Sequence, residues 1–371
     1  GLPFVASSVK TYDASGEIGE ETMKRDYRGM VPRFLLVAAV GFGAVASAFL
    51  PEGAPFESSE AAIPLRDGKS LAADVYVPDK AKNYPVILIQ TPYDKSRMRT
   101  WWAKADSSER GTLFTDTHYA FVVTDWRDRF ASKAAAAPGK IAGNGEDGYD
   151  TIDWIVKQPW CNGKVGTWGP SALGAVQYRT MTQHHPNHVC AVPMVMPLNL
   201  EYGVYFHGGV LWDEFVTMLA QLGWPLRDQL IAHPVHDAFW TNTLERTFIR
   251  PDELKVPMLI IGGWYDIYTS AVIDTLLSIR DKGDANARGK AHLIMGPWLH
   301  RTGQVRNGGL EYPSAENYDV KQAQRFFDHW LRGESNGADD GAPITYFQMG
   351  EDQWKTADSW PPAGMTERSL E

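Results

Sequence analysis

The chain has 371 residues, 44% of them hydrophobic and 22% charged, with 12% aromatic content that includes 14 Trp. That composition is globular and excludes disordered, collagen-like and disulfide-scaffold classes. Thirty-six Lys and Arg against 45 Asp and Glu leave a net charge of −9, without the basic excess that nucleic-acid binding calls for. Length allows two domains, or one large α/β domain with appendages. The first residue is Gly1 rather than Met, as in a fragment or an open-frame translation, and Met30 is a candidate start. Phe34 to Leu50 carry no charge and follow Lys24, Arg25, Arg28 and Arg33, while Ala46-Ser47-Ala48 supplies small residues at signal-peptidase spacing. As a helix this run spans about 25 Å, short of a ~30 Å hydrocarbon core. Residues 1–48 therefore read as upstream sequence plus a signal-peptide-like segment cut near Ala48. The protein is expected in the periplasm or secreted, with no stable membrane span after processing. An uncleaved membrane anchor and a buried helix are the alternatives.

From Glu57 the pattern alternates. Phe56–Pro64 and Ser70–Val77 flank the turn Arg66-Asp67-Gly68-Lys69 and predict an antiparallel hairpin. Short apolar runs follow at Val86–Gln90, Ala120–Thr124, Val165–Trp168, Ala191–Val195, Met258–Ile261 and His292–Met295. Their length and their Val, Ile and Leu content suit strands buried on both faces. Helices are predicted at Asp147–Gln158, Ser171–His184, Thr269–Asp281 and Val320–Arg332. The fold class is α/β, an open and mostly parallel doubly wound sheet. Pro197 to Lys255 has no strand-like run, and its aromatic residues Trp212, Phe215, Trp224, Phe239 and Trp240 sit at helical spacings, which predicts a helical cap at about 198–254. Residues 49–340 form the core with this cap, and 341–371 read as the stub of a further β-domain.

The strand Val165–Trp168 runs into Gly169-Pro170-Ser171-Ala172-Leu173-Gly174 and then a helix. A Ser on such a strand-to-helix corner is a nucleophile elbow, in which the sharp turn exposes the hydroxyl above the sheet. Asp266 in Gly262-Gly263-Trp264-Tyr265-Asp266 and His300 in Gly296-Pro297-Trp298-Leu299-His300 each directly follow a strand. A Ser hydroxyl needs a base to take its proton, and the base needs an acid to fix its tautomer. The order Ser, Asp, His, all at carboxyl ends of strands, is that of the α/β-hydrolases.

These residues, with Thr91-Pro92-Tyr93-Asp94-Lys95, Asp125-Trp126-Arg127-Asp128-Arg129-Phe130-Ala131-Ser132, Gly145-Glu146-Asp147-Gly148-Tyr149-Asp150-Thr151 and Gln158-Pro159-Trp160-Cys161, carry a family resemblance. From about Pro64 to Glu371 the chain resembles the cocaine-esterase and X-Pro dipeptidyl-peptidase group of α/β-hydrolases (peptidase family S15, CocE/NonD). The resemblance implies an α/β-hydrolase fold with a helical cap and a C-terminal jelly-roll domain, of which 341–371 would be the start. It also implies an oxyanion hole made by the Tyr93 hydroxyl and the Ala172 amide. The chain departs from the family pattern at Pro170, at Ala172 in place of Tyr, at Asp128 in place of Gly, and in a short cap of about 57 residues from Leu198 to Leu254.

The expected activity is that of a serine hydrolase cleaving an ester or amide through an acyl-enzyme. Ser171 is the nucleophile, His300 the base and Asp266 its orienting acid; no cofactor or metal is required. An X-Pro dipeptidyl aminopeptidase or acylase, and a non-catalytic binding protein of the same fold, are the alternatives. The partner is a small ester or short peptide; the sequence sets no oligomeric state. Trp126, Trp212, Phe215, Trp264 and Trp298 are the candidate substrate-pocket residues. Glu201, Asp213 and Glu214 are candidates to bind a substrate amine. Cys161 and Cys190, each near the start of a strand, are a candidate disulfide. His184, His185 and His188 read as a solvated helix end rather than a metal site, and Asn144–Asp150 as a helix N-terminus rather than a calcium loop.

Overall fold

The structure is a computed structural model and describes residues 11–12, 18–19, 55–103 and 111–366. The chain separates into a unit of residues 1–44 and a unit of residues 45–371. In the first, Thr11–Tyr12 pairs antiparallel with Ile18–Gly19. The signal-like segment 30–48 lies outside the described residues. Among these, no helix is long and apolar enough to cross a membrane.

The second unit is built on a ten-stranded sheet. Its strands are β1 Glu57–Pro64, β2 Ser70–Val77, β3 Tyr84–Thr91, β4 Ala120–Asp125 and β5 Cys161–Pro170. The rest are β6 His188–Met194, β7 Met258–Gly263, β8 Ala291–Gly296, β9 Ile344–Gln348 and β10 Gln353–Ala357. Their spatial order is β10-β9-β8-β7-β6-β5-β3-β4-β2-β1. Pairing from β4 through β3, β5, β6, β7 and β8 to β9 is parallel, and both ends of the sheet are antiparallel. The strand order reverses at β3, which lies between β4 and β5, and a ligand crevice opens at such a switch point beyond the carboxyl ends of the strands.

All eight residues of β3 are buried. Val86 and Leu88 join one core cluster while Ile87 and Ile89 join another, so successive side chains serve opposite faces. The apolar run is continuous because neither face meets water. The predicted hairpin is β1 and β2, in register from Glu57 against Val77 to Pro64 against Ser70. The helices form at Gly145–Ile155, Ala172–Met181, Thr269–Lys282 and Tyr318–Phe327. Asn144 caps the first by accepting the Asp147 N–H at 2.9 Å. β9, expected to open a further domain, pairs parallel with β8 through Leu293, Ile294 and Met295.

Between β6 and β7 short helices, among them Asp213–Gln221 and Arg227–Ala232, pack Tyr205, Phe206, Phe215 and Trp240 against Tyr268 and the core. The expectation of no strand here needs one correction. Phe206–His207 pairs antiparallel with Val210–Leu211. Gly208 and Gly209 turn this hairpin at φ +60° and +85°, a two-residue loop whose positive φ values glycine accepts. Two residues per strand are too few to make a sequence run.

The proposed Cys161–Cys190 bridge is also corrected: both thiols are free and buried. The β5–β6 register sets Cys190 opposite Gly166, five residues along the strand from Cys161 and hence about 16 Å away. The histidine segment is less solvated than its composition implies. His184 Nε2 meets the Glu253 carbonyl at 2.8 Å, His185 packs on Tyr149, and His188 Nε2 meets Thr167 Oγ1 at 3.1 Å. His185 and His188 are both buried.

Burial holds the His188 pKa down at about 3, and His185 adds to the depression. An unfolded His titrates near 6.5, so the unfolded chain takes this proton first as the pH falls. Native stability is then lost from about pH 6.5 downward. Asp125 acts with the opposite sign: burial pushes it up to about 6, so the native state protonates first and gains stability as the pH falls from about 6 to 4. The two effects offset one another in the parent protein. His188→Gln is therefore expected to gain about 3 kcal/mol relative to the parent between pH 7 and pH 4.5. Urea unfolding at both pH values measures this, and a pH-independent difference refutes a neutral buried ring.

Candidate active site

β5 ends in the turn that carries Ser171. Its N–H donates to the Met194 carbonyl of β6 at 2.9 Å, and its own carbonyl accepts the Gly174 and Ala175 N–H groups at 2.7 and 3.0 Å to open the helix. To do both, Ser171 sits at φ +56°, ψ −125°, a backbone conformation that costs on the order of 1–3 kcal/mol outside glycine. Gly169 before it has φ +148°, and a Cβ there would stand 2.5 Å from the Leu173 Cβ. Pro170 is accommodated, because its position needs no N–H donor in the ladder facing Met194.

The other two residues arrive from neighbouring strand ends. β7 ends at Gly263, where a Cβ would lie 2.3 Å from the Trp298 carbonyl, so the loops carrying Asp266 and His300 can approach closely. His300 Nε2 stands 2.9 Å from Ser171 Oγ, and its Nδ1 stands 2.7 Å from Asp266 Oδ1. Asp266 Oδ1 also accepts the Ile267 N–H at 2.7 Å. The Asp266 side chain is 0% exposed, whereas that of His300 is 38% exposed. A donor–acceptor chain therefore runs from a buried carboxylate to a hydroxyl at the surface of a cavity. Tyr268, which sequence reasoning missed, packs edge-on to His300 at 5.6 Å.

Tyr93 follows β3 and lines the cavity with Ser171; burial pushes its pKa up, and the neighbouring Ser171 side chain pulls it the other way. The Asp125 carboxylate positions this loop by accepting the Lys95 N–H at 2.7 Å and the Ala131 N–H at 3.1 Å. Below it, the Asp74 carboxylate pairs with both Lys95 and Arg99. The Ala172 N–H lies in the first turn of its helix, where amides have no intrahelical acceptor. Tyr93 and Ala172 thus bring two donors to the wall on which Ser171 opens. Asp128, where the family carries Gly, has φ +62°, a left-handed position that Asp tolerates.

The cavity has a volume of about 650 Å³ and is lined by Tyr93, Trp126, Ser171, Ala172, Tyr268 and His300 together with cap residues such as Met218, Leu222 and Trp224. Of the five aromatic pocket candidates, only Trp126 reaches it. Trp298 is fully buried in the core, and Phe215 is buried between cap and sheet. Trp264 donates its indole N–H to the Phe347 carbonyl at 2.9 Å and packs on Trp360. Trp212 packs on Phe215 and His207. Adjacency in sequence to a strand end does not determine which way a ring turns. Glu201, Asp213 and Glu214 do not line the cavity either, and Asp213 pairs with Arg227. Arg179 and Glu253 are the charged lining residues that sequence reasoning missed. The available signal for Arg179 was its place seven residues after Ala172 and four after Ala175, on the same helix face.

Sheet order, elbow and strand-end loops define a protein of the α/β-hydrolase fold. The sequence profile of the X-Pro dipeptidyl-peptidase (S15) family matches residues 67–224 and 217–302, and the chain belongs to that family. It is 28% identical to the cocaine esterase of Rhodococcus sp. (strain MB1 Bresler) in an alignment of 358 positions that covers 82% of this chain and 60% of that protein. The chain thus spans about 60% of the length of that curated relative. Its fold is similar to that of an aminopeptidase from the marine sediment archaeon Thaumarchaeota archaeon, with a TM-score of 0.67 and 22% identity over 88% of this chain and 63% of that one. It is also similar to a CocE/NonD family hydrolase from Staphylococcus aureus, with a TM-score of 0.61 and 20% identity over 83% of this chain and 57% of that one.

Proposed function

We propose that the protein is a serine hydrolase that cleaves an ester or amide through an acyl-enzyme. The observation that carries this reading is the continuous chain from Ser171 Oγ to His300 Nε2 at 2.9 Å and from His300 Nδ1 to Asp266 Oδ1 at 2.7 Å, opening on the cavity. Ser171 Oγ attacks the carbonyl carbon while His300 Nε2 takes its proton. The oxyanion is held by the Tyr93 hydroxyl and the Ala172 N–H. His300 then returns the proton to the leaving oxygen or nitrogen, and the same steps with water release the acid. A fluorophosphonate probe tests this: labelling that depends on Ser171 supports it, and folded protein that is not labelled overturns it.

Nitrophenyl esters compared with X-Pro anilides separate an esterase, the reading favoured by a cocaine esterase relative, from a dipeptidyl aminopeptidase or acylase. Tyr93 is protonated at neutral pH, as a phenol ordinarily is, and burial raises its pKa further, so it can donate to the oxyanion. Tyr93→Phe removes one donor and is expected to lower kcat by about 10²-fold with little change in KM. Steady-state kinetics on a nitrophenyl ester measure the split.

We further assign residues 49–340 to the core with its cap at 198–254, and 341–371 to the approach to a C-terminal β-domain that begins by extending the core sheet with β9 and β10. Export with cleavage near Ala48 places the protein in the periplasm or outside the cell. The uncharged run after Lys24, Arg25, Arg28 and Arg33 supports this. An exported protein whose mass retains residues 30–48 refutes the cleavage.

A further inference from the structure

The helix Ala172–Met181 starts at the oxyanion donor, and one of its faces, through Ala172, Ala175 and Arg179, lines the cavity. Arg179 donates one N–H to the Gly143 carbonyl at 3.1 Å. That carbonyl is fixed because Gly143, at φ +68°, lies flat under Trp126, where a Cβ would come within 2.7 Å of the indole. Among the described residues no carboxylate forms an ion pair with Arg179, and burial without such a partner lowers its pKa. By contrast, among the described residues the buried cations Lys95 and Arg127 are both matched, Lys95 with Asp74 and Glu60 and Arg127 with Asp147 and Asp67. The one acid in the cavity lining among the described residues, Glu253, has Oε2 engaged by the Arg250 N–H at 2.7 Å.

A half-buried guanidinium without a carboxylate partner carries a desolvation cost, and its remaining donors form a planar fork that suits a carboxylate. The helix C-terminus offsets part of that cost but leaves these donors without acceptors. Arg179 lies eight residues after Ser171, about 12 Å along the helix axis, with its side chain leaning back toward the nucleophile. Ala172, Ala175, Met196 and Leu198 give the same cavity apolar lining. The leaving atom must sit beside His300 Nε2 to receive its proton, so the part of the substrate that extends along this helix is the acyl chain.

We propose that Arg179 is a specificity-determining residue that binds a carboxylate at the far end of the acyl chain, so that the preferred substrates are esters or amides of dicarboxylic acids with an apolar spacer. This inference rests on the serine-hydrolase reading above. The test compares mono-4-nitrophenyl suberate with its methyl ester. At low salt the parent protein is expected to favour the acid by about 10-fold or more in kcat/KM, as a charge-assisted hydrogen bond allows, and to lose this preference as salt rises. Arg179→Met is expected to bring the ratio near one, and Arg179→Lys to restore part of it.

A ratio at or below one in the parent protein overturns the proposal, as does a ratio unmoved by Arg179→Met. Calorimetry of free suberate binding to Ser171→Ala, with and without Arg179→Met, separates the two readings. Arg179-dependent binding without Ser171-dependent labelling keeps the anion site and refutes the hydrolase. Hydrolysis of both esters alike, with no suberate binding, does the reverse.

Discussion

Ser171→Ala is expected to abolish fluorophosphonate labelling and to lower kcat on a nitrophenyl ester by about 10⁴-fold or more, with KM little changed. The hydroxyl is the only atom removed, so the cavity, the Tyr93 hydroxyl and the Ala172 amide remain to bind the ester. What is lost is covalent capture, and the residual rate is that of water attack assisted by the oxyanion donors. The same position carries a second expectation. Ser171 holds φ at +56° against its preference, and an alanine in its place is held there in the same way, whereas glycine relaxes. Relief of about 1–3 kcal/mol of strain outweighs the roughly 0.5–1 kcal/mol of extra chain entropy that glycine loses on folding. Ser171→Gly should therefore be about 1 kcal/mol more stable than Ser171→Ala in urea unfolding, and equally inactive. Equal stability of the two variants refutes a strained elbow.

What could be read before the structure, and what could not, follows from the range of each interaction. Strands such as β3 and β4 are legible because burial on both faces writes an unbroken apolar run, and the elbow is legible because its turn demands small residues at fixed offsets. Asp266 and His300 are legible because each directly follows such a run. The walls of the cavity are not, because a ring's direction depends on partners distant in sequence. Trp264 turns away toward the Phe347 carbonyl, 83 residues on. The Trp298 ring wedges against Gly296, which has no Cβ to exclude it. Asp74 occupies an ordinary place in a hairpin strand, yet it is fully buried because Lys95 and Arg99 come over it from the helix Lys95–Ala103 that follows Tyr93. The separation of the two cysteines depended on the register between β5 and β6, which no local pattern encodes. Arg179 was hidden for the opposite reason, since a basic residue in a helix's last turn is ordinary. Only the lack of a carboxylate facing it makes it notable.

Asp266→Asn is expected to lower kcat by about 10⁴-fold while the protein remains folded. Asp266 Oδ1 accepts two N–H groups, from His300 Nδ1 and from Ile267, and its Oδ2 is buried without a hydrogen-bond partner. An asparagine fits neither way. With its NH₂ at the Oδ2 position, it buries a donor with no acceptor, a cost of about 1–3 kcal/mol. With its NH₂ at the Oδ1 position, it opposes the Ile267 N–H and turns a donor toward His300. The imidazole then carries its proton on Nε2, facing Ser171 Oγ, and cannot receive another there. In both orientations the negative charge that stabilises the imidazolium is gone. The effect belongs to the chemical step, so a stopped-flow experiment on a nitrophenyl ester should show the acylation burst slowed by the same factor as kcat, with KM nearly unchanged. Loss of the burst through a raised KM, or a drop of less than about tenfold, would mean that Asp266 serves the loop rather than the histidine. Replacing Asp266 by Glu is the complementary case. It keeps the charge but moves the acceptor by one methylene in a pocket where the side chain is 0% exposed. Activity should return only in part, because position as well as charge sets the tautomer.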